Sequence, residues 1–394
     1  MSGPERQWRA LSPELLAWKE TCRAFAREVI APQVRRWDRE NDHPAPIVAE
    51  AHARGLADVA FPAELGGRGL SLLHVAVGGE ELAAVCAPTA FVLGFNHGAL
   101  RPVVTAGTPE QRQAFVRDLL RRRGHASLCL TEAGSSGSNL LQVGTLARQT
   151  ERGWSLSGEK VMVGNGTVAE LFLVLAETED ARGRRRGASF FAVPRGPGVS
   201  VGPNTDKLGF RCVTTPTIRF QEVALGPEHL IGGVGQAEAV LLDTLDFIRF
   251  GGAAVILGLV IGGLRDLVPW LEERRVAPDD PLIGKGDVQQ ELGQLMAEVQ
   301  AVRGLMWRAA ELLDRGQECA VETASAKLLA SELAVRATGW CAQLMGWRGV
   351  DAGWPAEKRL RDARATTIYE GTSQVQRLNL ARALRRSAHG DGWL

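Results

Sequence analysis

The spacing of apolar residues changes twice along the chain. In LSPELLAWKETCRAFAREVIAPQVRRWD (residues 11–38), Leu15, Leu16, Cys22, Phe25, Val29 and Ile30 recur at roughly helical intervals. Ser12 stands where a helix needs an N-cap, and Pro13 where a helix tolerates proline. PAELGGRGLS (62–71) is a turn-rich break, after which HVAVGGEELAAVCAP resumes the helical pattern. TPEQRQAFVRDLLRRRG (108–124) offers Thr108 as a cap, Glu110 in the first turn and Gly124 as the stop. From about Ala126 the texture becomes short runs rich in Val, Phe, Thr and Leu, including ASLCLT, LFLVLAE, ASFFAV and TIRFQEV. Gly, Pro and Asn separate them, so a β segment is expected. From about Gln236 to about Ser387 the helical period returns. DVQQELGQLMAEVQAVRGLMWRAAELLDRG and ETASAKLLASELAVRATGWCAQLMG read as long amphipathic helices, and HGDGWL as a loose tail. The expected class is a multi-domain α+β protein. It has a helical domain over residues 1–124, a β domain over 125–235 and a helical bundle over 236–394.

Composition adds few constraints. With 45% hydrophobic and 23% charged residues and a net charge of +1, the chain reads as an ordinary globular protein, with no global field suited to nucleic acid or a membrane surface. The Arg run at 184–186 sits between strand-like runs and is expected to be a solvated hairpin. Six scattered Cys, with no CxxC pair and no His set at zinc-ligand spacing, argue for a reduced, cytoplasmic chain without a metal site. Charges occupy the N-terminus where a signal peptide is apolar. GGAAVILGLVIGGL (251–264) is too short and Gly-rich for a membrane span and is expected to be a closely packed core helix. GVSVG (198–202) matches the nucleophile-elbow pattern but lacks the helix that motif requires.

Two stretches carry candidate chemistry. TEAGSSGSN (131–139) joins Thr131, at a strand end, to a Gly/Ser loop whose backbone N–H groups suit an anionic or carbonyl-rich ligand. IYEGTSQVQR (368–377) sets Glu370 between Gly371 and Tyr369, the only Tyr of the chain.

The order helix–β–helix, with LTEAGSSGS, GEKVMVGNGTVAELFLVLAET, KLGFRCVTTPTIRFQEVAL and RLRDARATTIYEGTSQVQRLNLAR in sequence, resembles the acyl-CoA dehydrogenase family of flavoproteins over roughly residues 10–385. The resemblance implies a helical domain, a β-barrel-like middle domain and a C-terminal four-helix bundle. It also implies FAD and an acyl thioester on CoA or an acyl carrier protein. Glu370 would be the base that takes the α-proton while a hydride leaves for flavin N5. A carboxylate in a dry pocket becomes a stronger base, which suits a weakly acidic α-proton. Gly371 would let the main chain pass close to the ligand, with Tyr369 beside it. Thr131, Val163 and Gly164 would lie on the flavin, Ser138 on the thioester side, and Asp246 and Arg249 on the ligand side of a bundle helix. Arg275, Gln343 and Gly346 would reach a neighbouring subunit's FAD, and Thr372 and Gln374 would stand beside the adenosine end of FAD. A homodimer or homotetramer follows, with an electron-transfer flavoprotein as a possible electron partner.

Departures from the family pattern fall on the flavin. Met162 stands for the Trp that walls it, and Gly164 for the hydroxyl residue that bonds N5. TEAGSSGSN is one residue longer than usual. Pro278, Asp279 and Gly286 alter the segment after Arg275, and Trp347 replaces the second Gly of QxxGG. These changes raise two alternatives. One is a flavin-free acid/base enzyme on acyl thioesters. The other is a non-catalytic or half-site subunit paired with a competent homologue.

Overall fold

The computed structural model describes residues 11–134 and 142–387. Its first third forms α1 (Pro13–Phe25), α2 (Val34–Glu40), α3 (Ala45–Ala53), α4 (Leu72–Ala99), α5 (Arg101–Ala106), α6 (Pro109–Gln111) and α7 (Asp118–Arg121). The Ser12 hydroxyl caps α1 by accepting from the Leu15 N–H at 3.2 Å. Thr108 and Gln111 close a reciprocal capping box at the start of α6. Helix α4 is bent into two arms, because Cys86 is extended (φ −151°, ψ 101°) just before Pro88. Proline lacks an N–H and crowds the preceding turn, so the break falls there.

The β segment forms β1 (Ala126–Cys129), β2 (Leu146–Thr150), β3 (Gly153–Lys160), β4 (Leu171–Glu179), β5 (Arg185–Pro194), β6 (Val199–Val201), β7 (Ile218–Leu225) and β8 (Leu230–Ile231). They make one sheet in the order β6-β7-β3-β2-β4-β5-β8, with β1 also paired to β4. β1 and β2 run parallel to β4, while β4 and β5 pair antiparallel from Leu171↔Pro194 to Glu179↔Arg185. β4 is covered on both faces, hence the unbroken LFLVLA, whereas β7 alternates buried and exposed. Among the described residues the sheet path is open and ends in β6 and β8, strands of three and two residues, so no closed barrel is seen. The Arg-rich β4–β5 turn is pinned by Asp180, which accepts from Arg184 Nε at 2.9 Å. GVSVG lies on β6 and no helix follows it.

The last third forms α8 (Ala237–Glu273), a small hairpin of β9 (Arg275–Ala277) and β10 (Asp280–Pro281), then α9 (Gly286–Asp314), α10 (Ala320–Met345), α11 (Pro355–Thr366) and α12 (Ser373–Ser387). GGAAVILGLVIGGL lies within α8 and packs backbone to backbone on α4. A Cβ at Gly258 would fall 2.5 Å from Glu80 O, and one at Gly262 2.1 Å from Ala84 O. Residues 72–106 and 237–273 are long and apolar enough to cross a membrane, but 78% of the most apolar window of each is buried inside the fold. The largest core joins α1, α4, α8, α9 and α10. Within it Glu81 takes paired hydrogen bonds from Arg23 and Arg265 at 2.9–3.1 Å, and Glu80 takes a pair from Arg303. All six cysteines are free and buried.

Candidate active site

The turn between α11 and α12 is strained. Glu370 has φ 55° and Gly371 φ 90°, two consecutive positive values. The first costs on the order of 1 kcal/mol for a residue with a side chain. Only glycine fits at the second, because a Cβ there would meet Gln376 Nε2 at 2.5 Å. Buried side chains hold the turn in this shape. Lys327 Nζ on α10 donates to Thr366 O at 2.9 Å and Gly371 O at 2.7 Å. Ser331, one turn further along α10, also donates to Thr366 O at 2.9 Å. Gln376 Nε2 donates to Glu370 O and Gly371 O, both at 3.1 Å. Thr372 Oγ1 accepts from the Val375 N–H at 3.2 Å at the head of α12.

The strain directs the Glu370 side chain onto α8. A Cβ at Gly252 would lie 1.9 Å from Glu370 Oε2, so the carboxylate occupies the space that any other residue at 252 would fill. Glu370 as a whole is half-buried, but Oε2 is shielded from solvent and has no hydrogen-bond partner among the described residues. Burial pushes the carboxyl well above the ordinary range, and the positive charges of Lys327 and Arg249 pull it part of the way back. Burial in turn lowers the Lys327 ammonium, against the pull of Glu370.

Glu370 lines a cavity of about 640 Å³ between the two arms of α4, helix α8 and the β domain. An aromatic cluster forms part of its wall. Phe91 lies 5.3 Å from the Tyr369 ring and 5.8 Å from Phe210, and Tyr369 lies 5.2 Å from Phe210. Phe210 is fixed from the bundle: its N–H donates to Asp362 Oδ1 at 2.7 Å, and Asp362 pairs with Lys358. The Tyr369 hydroxyl is buried without a partner among the described residues.

The expected site residues separate into groups. Thr131, Met162, Gly164, Tyr369, Glu370, Gly371 and Thr372 come together on the cavity wall. Val163 lies in the β core, its N–H given to Pro216 O. Asp246 and Arg249 pair at 2.9 Å on α8 outside the lining, so Arg249 acts on Glu370 through its charge. Gln374, Gln343, Gly346, Trp347 and Arg275 are exposed away from the cavity lining. Pro278 and Asp279 form the turn of the β9–β10 hairpin, Gly286 opens α9, and Asp280 pairs with Lys285. Ser138 lies outside the described residues. Sequence reasoning missed Gly252, Lys327, Gln376 and the phenylalanines. The lone Lys in the small-residue run ASAKLLAS was a signal for one of them.

The sequence matches the acyl-CoA dehydrogenase N-terminal domain over residues 12–123, the middle domain over 127–223 and the C-terminal domain over 238–385. The chain belongs to the acyl-CoA dehydrogenase family. It is 34% identical over 407 residues to the human mitochondrial short-chain specific acyl-CoA dehydrogenase, covering 98% of this chain and 97% of that protein. A Bacillus subtilis acyl-CoA dehydrogenase is 28% identical, covering 95% of this chain and 98% of its own. The structure of butyryl-CoA dehydrogenase from Megasphaera elsdenii superposes with a TM-score of 0.90 at 28% identity, over 95% of this chain and 99% of that one. Acyl-CoA dehydrogenases are FAD-dependent flavoprotein oxidoreductases acting on CH–CH groups.

The cavity suits the ring end of such a cofactor. Thr131 brings a hydroxyl to the wall, and Met162, half-exposed with φ 55°, presents a polarizable face. Gly164 has a reason within this chain: a Cβ there would lie 2.4 Å from the ring of Phe95. The hydroxyl expected at this acyl-CoA dehydrogenase position is replaced by a phenyl ring packed over a glycine.

Proposed function

We propose that this protein dehydrogenates an acyl thioester to the α,β-enoyl thioester, with Glu370 as the α-proton base. The observation that carries this reading is a shielded carboxylate oxygen without a hydrogen-bond partner among the described residues, held by a strained turn at the wall of a large, mainly apolar cavity. Desolvation raises its proton affinity, so Glu370 accepts the α-proton more readily than a solvated carboxylate would. Lys327 and Arg249 hold charge near it and keep the base ionisable close to neutral pH. The backbone N–H of Glu370 donates to no acceptor among the described residues and is available to the thioester oxygen, where enolate charge develops. Phe91, Phe210 and Tyr369 exclude water from the reacting carbons. When bound, FAD supplies the acceptor for the β-hydride; Thr131, Met162 and Gly164 would hold its ring, and Thr372 would stand beside it.

We assign Arg275, Gln343 and Gly346 to the cofactor contact of a neighbouring subunit in a homodimer or homotetramer. An electron-transfer flavoprotein is the natural oxidant, and the cytoplasm the natural setting. No observation favours a flavin-free or non-catalytic role. The test is Glu370→Gln with flavin absorbance and substrate α-proton exchange read together. Exchange and turnover should vanish with flavin content unchanged; turnover at the parent rate would sink the assignment.

A further inference from the structure

Behind the cavity wall, three elements meet at two sulfurs. Cys86 stands at the bend of α4, where its extended backbone interrupts the helix. Cys212 lies between β6 and β7, on the segment that brings Phe210 and Val213 to the cavity, while Ala90 and Phe91 line it from α4. Lys358 comes from α11. Cys86 Sγ accepts from Thr89 Oγ1 at 3.2 Å and from Lys358 Nζ at 3.8 Å, and the Cys212 thiol donates to it as well. The Thr89 hydroxyl also lies 3.9 Å from Cys212 Sγ. A hydroxyl, an ammonium and a thiol gathered at one sulfur suit a thiolate better than a thiol. The charges agree with the contacts. The Cys212 hydrogen bond lowers the Cys86 thiol most, burial opposes it, and Lys358 lowers it further. The same hydrogen bond and burial push Cys212 up. Burial works against the Lys358 ammonium, but Asp362 and both sulfurs outweigh it, and it stays charged. At Cys22, Cys129, Cys319 and Cys341 burial dominates and raises the thiol. A thiolate beside a second thiol is the arrangement in which an oxidant attacks one sulfur and the other resolves the product. Both sulfurs are buried, which restricts the oxidant to a molecule not much larger than water.

We propose that Cys86 and Cys212 are a redox modification site, a peroxide-reactive pair that closes to a disulfide and fastens the Phe210 segment to the bend of α4. Hydrogen peroxide is the oxidant. The Cys86 thiolate attacks one peroxide oxygen; the S–O bond forms, the O–O bond breaks, and the departing hydroxide takes up a proton to become water. The Cys212 sulfur then attacks the Cys86 sulfenic acid; the S–S bond forms, and the hydroxyl leaves as water with the Cys212 proton. Two electrons pass from the sulfurs to the peroxide, and a thiol reductant returns them. The inference stands apart from the dehydrogenase reading, because it is read from the sulfurs and not from turnover.

The test exposes the reduced, flavin-loaded protein to a small excess of hydrogen peroxide, quenches it in denaturant with dimedone, and maps the peptides by mass spectrometry. The parent should lose two of its six thiols to one cross-linked peptide joining Cys86 and Cys212, reversed by dithiothreitol. Cys86 should react about tenfold or more faster than Cys22, Cys129, Cys319 or Cys341. In Cys212→Ser the reaction should stop at a dimedone-trapped sulfenic acid on Cys86. In Cys86→Ser, Cys212 should stay a thiol at the same peroxide dose. Absence of the cross-link in the parent, which needs no variant to fold, would overturn the proposal. So would sulfenic acid appearing first at any other cysteine, or oxidation of Cys212 at the parent rate in Cys86→Ser.

Discussion

The turn that carries Glu370 and the wall that carries Met162 and Gly164 face the same cavity but are built on different terms. The turn is over-determined. Two consecutive positive φ angles are held by Lys327, Ser331 and Gln376, and a glycine on another helix is reserved for one carboxylate oxygen. The wall is exchangeable. Where the family places a hydroxyl, this chain places Gly164 and fills the space with Phe95 from α4. A base must sit within a fraction of an ångström of its proton and keep its charge state, so few sequences satisfy it. A wall needs only shape and low polarity, which pairs of residues can supply together.

The comparison can be broken first at Glu370, the base we propose. Glu370→Gln should lower kcat by about a thousandfold or more in steady-state assays. In the parent, kcat/KM should rise with pH up to the carboxyl's folded pKa, about 8, because only the ionised base accepts the proton. The stability sign runs the other way. A raised carboxyl pKa means the folded state holds its proton more tightly, so stability falls between the ordinary Glu range and about 8. Thermal melts of Glu370→Gln across that window should show a flatter slope.

The next effect is at Gly252. Gly252→Ala favours the helix but intrudes on Oε2, and should lower kcat by about a hundredfold with little loss of Tm. A near-parent kcat would show that the turn is less exacting than its geometry suggests. Lys327→Met removes two charge-assisted hydrogen bonds to the turn and should cost about 2–4 kcal/mol in denaturant unfolding. It should also move the pH profile upward, since Glu370 loses its larger positive neighbour. The smallest effect is on the wall. Gly164→Ser should cost about 1–3 kcal/mol by crowding Phe95, and Phe95→Ala should recover most of that loss if the two residues exchange space.

Much of this was legible in the sequence. Ser12 and Thr108 mark helix starts through local backbone chemistry, and the run LFLVLA marks a strand. Glu370 stands out through the block around it. Lys327 and Gly252 do not, because their roles depend on which atoms of Gly371 and Glu370 come to lie against them, across 44 residues in one case and more than a hundred in the other. The replacement at Gly164 reads as a loss in sequence and as a trade in space, since Phe95 belongs to a different domain pattern. The barrel-like form came only with the family resemblance, since strand count and alternation do not determine whether sheet edges meet.

The six buried thiols make the molecule a gauge of its own breathing. Cys22 and Cys86 sit in the helical domain, Cys129 and Cys212 in the β segment, and Cys319 and Cys341 in the bundle. A thiol reagent therefore finds nothing to modify on the closed surface of the chain. Each cysteine it labels over time reports that its own region has opened, so labelling order ranks the three regions by local stability without any introduced probe.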